Sequence, residues 1–241
     1  MTGRIEDLIR EVDEALGAGS PAVTEVLLRF FKPLPGEALR FRGVRAPELK
    51  RIAQSLYPRV KSWTTTDRDK FCEGLWGFGD FEGGALVCYL YRRFQKQFGA
   101  REFRLFTRWL DDYVNNWGLT DGLSLWLLGG AIENDPALAG KLSAWTRAKK
   151  RWKRRAAAVS LVYPAKRGEQ QEEIFQVAEA LLPDPDDMVQ KGVGWLLKET
   201  YPKRPGEVME FLMPRRQDTT RLVLRYAAEK MSSRDRRRLL G

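Results

Sequence analysis

The amino-acid sequence predicts an all-α fold of stacked helical pairs, and three observations carry that expectation. Apolar residues recur at helical spacing along almost the whole chain. Short breaks rich in Gly and Pro separate about a dozen such stretches within 241 residues. Alternating strand patterns and hairpin signals between strand runs are missing, and Asp121-Gly122 falls inside a helical pattern.

Taken in order, Ile5, Leu8, Ile9, Val12 and Leu16 form the first amphipathic stripe. Leu49, Ile52, Ala53 and Leu56 repeat it after Pro47, which suits a first-turn position. Thr64, Thr65 and Thr66 before Asp67 and Asp69 mark a helix start ahead of Phe71, Leu75 and Trp76. Further stripes are expected near 82–98, 101–114, 119–132, 136–147, 152–163, 170–182, 187–200, 205–213 and 218–230. Pro136, Pro164, Pro183, Pro185, Pro202, Pro205 and Pro214 punctuate them. Paired helices in a unit of roughly 35–40 residues match helical repeats of the HEAT type, so a superhelix with a concave, basic surface is expected. No low-complexity linker divides the chain, and residues 1–241 read as a single domain. The alternative is a compact all-α bundle.

Composition excludes whole classes of chemistry. There is no histidine, which removes Ser-His-Asp and Cys-His nucleophile activation and nearly every catalytic zinc site. The two cysteines, Cys72 and Cys88, match no metal or redox spacing and read as core residues of a reducing compartment. No Walker A motif, Rossmann glycine set or Cys/His cluster appears, so neither a cofactor nor a metal is expected. No apolar run approaches the roughly 18–20 residues of a membrane span. The first residues carry acids where a signal peptide is apolar, so a soluble, intracellular protein without a membrane partner is expected.

Forty-two Lys and Arg against 32 Asp and Glu give a net charge of +10 and a pI near 9.7. Arg outnumbers Lys 28 to 14, which favours bidentate phosphate contacts. Arg147 to Arg155 reads RAKKRWKRR, seven basic residues in nine with no acid. Arg215, Arg216, Arg221 and Arg225 form a second group, and Arg234, Arg236, Arg237 and Arg238 a third. The functional reading is a track for a polyanion backbone, with Lys153 and Arg154 as contacts. The competing reading is a set of solvated helix faces.

Two segments hold residues able to do chemistry. In Tyr113-Val-Asn-Asn-Trp117-Gly-Leu-Thr-Asp121-Gly, an indole and a carboxylate four residues apart share one helix face. In Val189-Gln-Lys-Gly-Val-Gly-Trp195-Leu-Leu-Lys198, Lys191, Trp195 and Lys198 place an aromatic ring between two cations on one stripe. Gly192 and Gly194 cost that helix about 1 kcal/mol each relative to Ala, tolerable where a backbone or ligand must come close.

On these residues the chain resembles the AlkD family of DNA alkylation-repair glycosylases. The similarity rests on Trp117-x-x-x-Asp121, on Arg155-Ala-Ala, and on Lys191-x-x-Gly-Trp195-x-x-Lys-Glu followed by Pro202 and Pro205, in the family's order and at close to its spacing. The resemblance implies that Asp121 is the catalytic carboxylate and that Trp117 and Trp195 are the aromatic pair lining the site. It makes Arg155 a backbone-contacting arginine, with Lys191 and Lys198 on the DNA-binding side. Phe30 falls where the family often has a Tyr beside the lesion, Tyr163 where a Lys occurs, and Gly118 where an acid is frequent.

The implied activity is hydrolysis of the N-glycosidic bond of cationic N3- or N7-alkylated purines in double-stranded DNA, without a lyase step. The implied protein is a monomer in the cytoplasm, associated with the nucleoid. Such bases already carry positive charge and leave without a general acid, so a site without histidine suffices. Members of the family are thought to leave the base largely stacked, which suits backbone-centred recognition. Two alternatives remain open at this point: a glycosylase for bulky natural-product adducts, and a non-catalytic helical-repeat DNA-binding or scaffold protein.

Overall fold

A computed structural model describes residues 2–17, 19–31, 33 and 39–241. In chain order it contains α1 (Thr2–Leu16), α2 (Pro21–Phe31), α3 (Ala46–Val60), α4 (Thr65–Trp76) and α5 (Phe81–Tyr91). A 3-10 segment (Arg92–Gln97) leads to α6 (Ala100–Asp112) and α7 (Trp117–Gly122). A π-helical turn (Leu123–Leu128), α8 (Gly129–Asn134) and a 3-10 stretch (Pro136–Arg147) come next. Then follow α9 (Arg151–Val159), α10 (Val162–Arg167), α11 (Gln171–Leu181), α12 (Asp187–Thr200), α13 (Pro205–Leu212) and α14 (Arg221–Ala227). A short 3-10 turn (Ala228–Lys230) and α15 (Ser233–Leu240) close the chain. Among the described residues there is no strand, so the fold is all-α.

A repeat is written in the helix starts. α3, α5, α7, α9, α12 and α14 begin at Ala46, Phe81, Trp117, Arg151, Asp187 and Arg221, each 34 to 36 residues after the last. The intervening helices keep step, with starts at Thr65, Ala100, Pro136, Gln171 and Pro205. The unit is thus a helix pair of about 35 residues, as in helical-repeat proteins.

Several expected stripes are not continuous α-helix. The stretch 136–147 is 3-10, 82–98 changes to 3-10 after Tyr91, and 119–132 contains the π turn. The stripe 152–163 breaks at Ser160 and Leu161. Apolar spacing reports which face is buried; it does not separate helices of neighbouring pitch over one or two turns.

The chain divides into two compact units, Met1–Gln95 with Asp112–Gly122, and Lys96–Asp111 with Leu123–Gly241. In the first, α3 packs on α5, and α5 packs also on α4 and α7. Thr64 caps α4 by accepting from the Asp67 N–H at 3.1 Å, as its sequence predicts. Asp80 caps α5, and the buried carboxylate of Glu82 accepts from the N–H groups of Arg42, Gly43 and Val44 at 2.9–3.2 Å. Cys72 and Cys88 are buried free thiols. Burial pushes both up, Cys88 to about 12, so they serve as inert core residues.

In the second unit α12 is the hub, packed against α9, α11 and α14. Its Gly194 is required by that packing: a Cβ there would lie 2.5 Å from Tyr226 Cβ and 3.1 Å from the Val223 carbonyl oxygen. The small residues Ala156, Ala157 and Ala158 on α9 are fully buried and let neighbouring helices approach closely.

Candidate active site

In the first unit, the backbone of the Asn-Asn-Trp segment is organised by Asn116. Its side-chain oxygen accepts from the Leu119 N–H at 2.9 Å and its carbonyl oxygen from the Thr120 hydroxyl at 2.7 Å. This cap starts α7 at Trp117, and one turn later Asp121 projects on the same face. Both side chains are half-buried. The chain then runs directly into the π-helical turn Leu123–Leu128, a distortion often found at functional sites.

An aromatic cluster fixes the Trp117 indole. It stacks on Phe31, with ring centroids 4.6 Å apart and planes 18° from parallel, and meets Phe30 edge-on at 5.4 Å. Phe31 is in turn held by Phe41 and Phe81 at 5.0 and 5.1 Å. Phe30 itself is 65% exposed, an unusual setting for a large apolar ring on a helix. The cluster also accounts for Gly118. A Cβ there would lie 2.8 Å from the Phe31 ring and 2.9 Å from that of Phe81, so an acidic side chain has no room. The aromatic residues behind Trp117 and the Asn116 cap were not legible as site components. Phe31, Phe41 and Phe81 are scattered in sequence with no shared motif, and only Asn at a helix start gave a signal.

In the second unit, Asp186 caps α12 by accepting from the N–H groups of Met188 and Val189 at 2.8 and 3.2 Å. Arg155 is 5% exposed, and its guanidinium donates to the carbonyl oxygen of Met188, tying α9 to the first turn of α12. Gly192 lies over it: a Cβ there would be 3.4 Å from Arg155 Cγ. The close approach inferred from the α12 glycines is therefore to an arginine at Gly192 and to a helix at Gly194. Trp195 is half-buried, Lys191 reaches back to the Met188 sulfur at 3.8 Å, and Lys198 pairs with Glu229 at 2.8 Å.

The basic run is more engaged than its sequence suggests. Arg151 pairs with Asp186 at 3.0 Å, Lys153 with Asp111 at 2.7 Å, and Arg154 with Asp184 at 2.6 Å. Lys150 donates to the Asp111 carbonyl oxygen. Burial raises the Asp186 carboxyl, but the Arg151 hydrogen bond and charge, with the two capping N–H groups, more than offset it and hold the group below its ordinary value. Arg147 and Lys149 remain exposed. Among the described residues no group of three or more Cys, Asp or Glu side chains is placed to hold a metal, and no helix is long and apolar enough to cross a membrane.

An all-α chain of repeated helix pairs, carrying an indole and a carboxylate on one capped helix, defines a helical-repeat protein with a candidate catalytic face. Residues 12–231 match the family model described as DNA alkylation repair enzyme, and the chain belongs to that family. Among solved structures, it is similar to a predicted DNA alkylation repair enzyme from Enterococcus faecalis, with a TM-score of 0.77 and 16% identity over 89% of this chain and 97% of that one. It is also similar to smu.31 from Streptococcus mutans UA159, with a TM-score of 0.61 and 15% identity over 87% of this chain and all of that one. No curated protein sequence matches it significantly.

Proposed function

We propose that the protein is a monofunctional DNA glycosylase that hydrolyses the N-glycosidic bond of cationic N3- or N7-alkylated purines in double-stranded DNA. The observation that carries this reading is the pairing on α7 of a buttressed, half-exposed indole, Trp117, with the carboxylate of Asp121 one turn away. Membership of a DNA alkylation repair family supports alkylated DNA as the substrate.

The chemistry follows from the charge on the substrate. In 7-methylguanine or 3-methyladenine the C1′–N bond breaks with its electron pair moving to the base, which leaves neutral. The sugar is left as an oxocarbenium-like cation. Asp121 stabilises that cation electrostatically and orients the water that adds to C1′, accepting the proton the water gives up. The face of Trp117 adds a cation–π attraction of roughly 0.5–2 kcal/mol, and Trp195 is assigned the second indole by the motif it belongs to. Phe30, exposed at the edge of Trp117, is positioned for apolar contact with the damaged nucleotide. No cofactor is required, and the protein acts as a monomer on double-stranded DNA.

The test is release of methylated bases from alkylated duplex DNA. Asp121→Asn is expected to lower excision about 10²-fold or more while leaving melting temperature and DNA affinity nearly unchanged. A mutant that excises like the wild type makes Asp121 a structural residue and removes the mechanism. Neutral lesions such as uracil and 8-oxoguanine are expected to stay in place, since their departure needs an acid. A wild type that binds DNA yet releases no base favours the non-catalytic reading.

A further inference from the structure

Where α3 packs on α5 in the first unit, Lys50, Gln54, Tyr89, Arg92 and Arg93 line a cavity of about 200 Å³ floored by Ala53. Its polar wall holds three cations, an amide and a phenol, and no carboxylate. Pockets for whole small molecules usually run to roughly 300–1,000 Å³ and are largely apolar. This one is smaller and cationic, dimensions that suit a single oxyanion group.

Lys50 and Arg93 are held in place by aromatic faces. The Arg93 guanidinium lies 4.3 Å from the Tyr57 ring and the Lys50 ammonium 5.9 Å from that of Tyr89. Among the described residues neither Lys50 nor Arg93 has a carboxylate partner. Contact with an aromatic face orients a cation and leaves its N–H donors available. Burial pushes the Tyr89 phenol up, so at neutral pH its O–H remains a donor.

The repeat adds an independent argument. Counted from its start, the fifth residue of α3 is Lys50, and the fifth residues of α7, α9, α12 and α14 are Asp121, Arg155, Lys191 and Arg225. The ninth residues of α3, α5 and α12 are Gln54, Tyr89 and Trp195. Three of the five polar wall residues, Lys50, Gln54 and Tyr89, therefore stand at the two repeat positions that supply the candidate site residues Asp121, Arg155, Lys191 and Trp195, while Arg92 and Arg93 follow the end of α5.

We infer that this cavity binds a phosphate group, and that the phosphate is a phosphodiester of a nucleic-acid backbone. The N-terminal unit then has a backbone contact of its own, apart from the run Arg147 to Arg155. The inference rests on the proposed action on DNA, and it concerns binding alone.

The experiment measures binding of an undamaged DNA duplex by fluorescence anisotropy over a range of KCl concentrations. Lys50→Ala/Arg93→Ala is expected to weaken binding about tenfold or more and to lower the log–log salt slope by about 0.9, the value for one phosphate. Lys50→Arg, which keeps the charge, should retain the wild-type slope. Arg10→Gln/Arg59→Gln removes two charges from ion pairs of the same unit and should also leave the slope unchanged. An unchanged slope in the alanine variant, or an equal loss in the control, overturns the assignment, as does a wild type that does not bind undamaged DNA.

A parallel melting-temperature titration with inorganic phosphate separates the two sources of phosphate. Stabilisation that the alanine variant lacks, joined to an unchanged DNA slope, assigns the cavity to free phosphate and overturns the backbone contact. A wild type that binds DNA with the expected slope but releases no alkylated base refutes the glycosylase reading and leaves this assignment standing.

Discussion

Two basic regions of the molecule invite comparison. Arg147 to Arg155 carries seven cations in nine residues, and Lys50, Arg92 and Arg93 come from two separate parts of the chain. By sequence the first is the obvious polyanion track. In the fold, Arg151, Lys153 and Arg154 each sit within 3.0 Å of an aspartate oxygen, whereas no carboxylate lines the α3–α5 cavity. An acid-free stretch of sequence is not an acid-free neighbourhood, because the acids come from Asp111, Asp184 and Asp186, 30 to 42 residues away. A cation already matched by a carboxylate offers a backbone phosphate a dipole, and it releases few counterions on binding.

Breaking a pair in the run tests this directly and should give the largest effect. The Asp184 side chain is 5% exposed, takes two hydrogen bonds from Arg154 at 2.6 and 3.2 Å, and accepts from the Asp186 N–H at 3.0 Å. Asp184→Ala strands the largely covered Arg154 and is expected to cost about 3 kcal/mol, a fall in melting temperature of roughly 6–12 °C for a chain of this size. Lys50→Ala, at an exposed position without an acid partner, should stay within about 0.5 kcal/mol of wild type by the same measurement. Equal melting temperatures for the two variants would erase the distinction between structural and available charge.

Within the run itself the contrast should reappear on a smaller scale. Arg147 and Lys149 are exposed and pair with no carboxylate among the described residues, whereas Lys153 is bound to both oxygens of Asp111 at 2.7 and 2.9 Å. If this segment meets DNA, Lys149→Ala should lower the salt slope of binding by up to about 0.9, and Lys153→Ala by clearly less. Equal changes would mean that the Asp111 pair opens on DNA. No change in either variant would show that the run is turned away from the duplex.

What the sequence disclosed, and what it withheld, divides along the same line between local and distant information. The Thr64 cap, the start of α3 beside Pro47 and the Trp117–Asp121 spacing depend on residues within a turn of one another, and each is present as expected. The 35-residue repeat was visible as a rough unit, because loop breaks recur even where sequences diverge. The partners of the basic run were hidden, since no local pattern says which aspartate a lysine will meet. The same applies to the Phe31, Phe41 and Phe81 cluster that excludes a side chain at Gly118. The π turn after Gly122 and the 3-10 stretch at 136–147 escaped for another reason: their apolar residues satisfy an α-helical stripe nearly as well.

The finest test of the comparison is a pH dependence at Asp186, which both caps α12 and pairs with Arg151. Its carboxyl is held below the ordinary value of 3.8 in the folded protein, so folding favours the ionised form. That contribution is fully present above the unfolded value and is lost as pH falls through the folded one. Asp186→Asn preserves a side chain able to cap the helix but removes the charge. The variant should therefore melt below wild type at pH 7, by a few degrees at most. The gap should persist down to about pH 4 and close below it, as the wild-type carboxyl takes up its proton. A gap of the same size at pH 3 would trace the loss to altered capping geometry. No gap at pH 7 would mean that the Arg151–Asp186 pair contributes nothing net to stability.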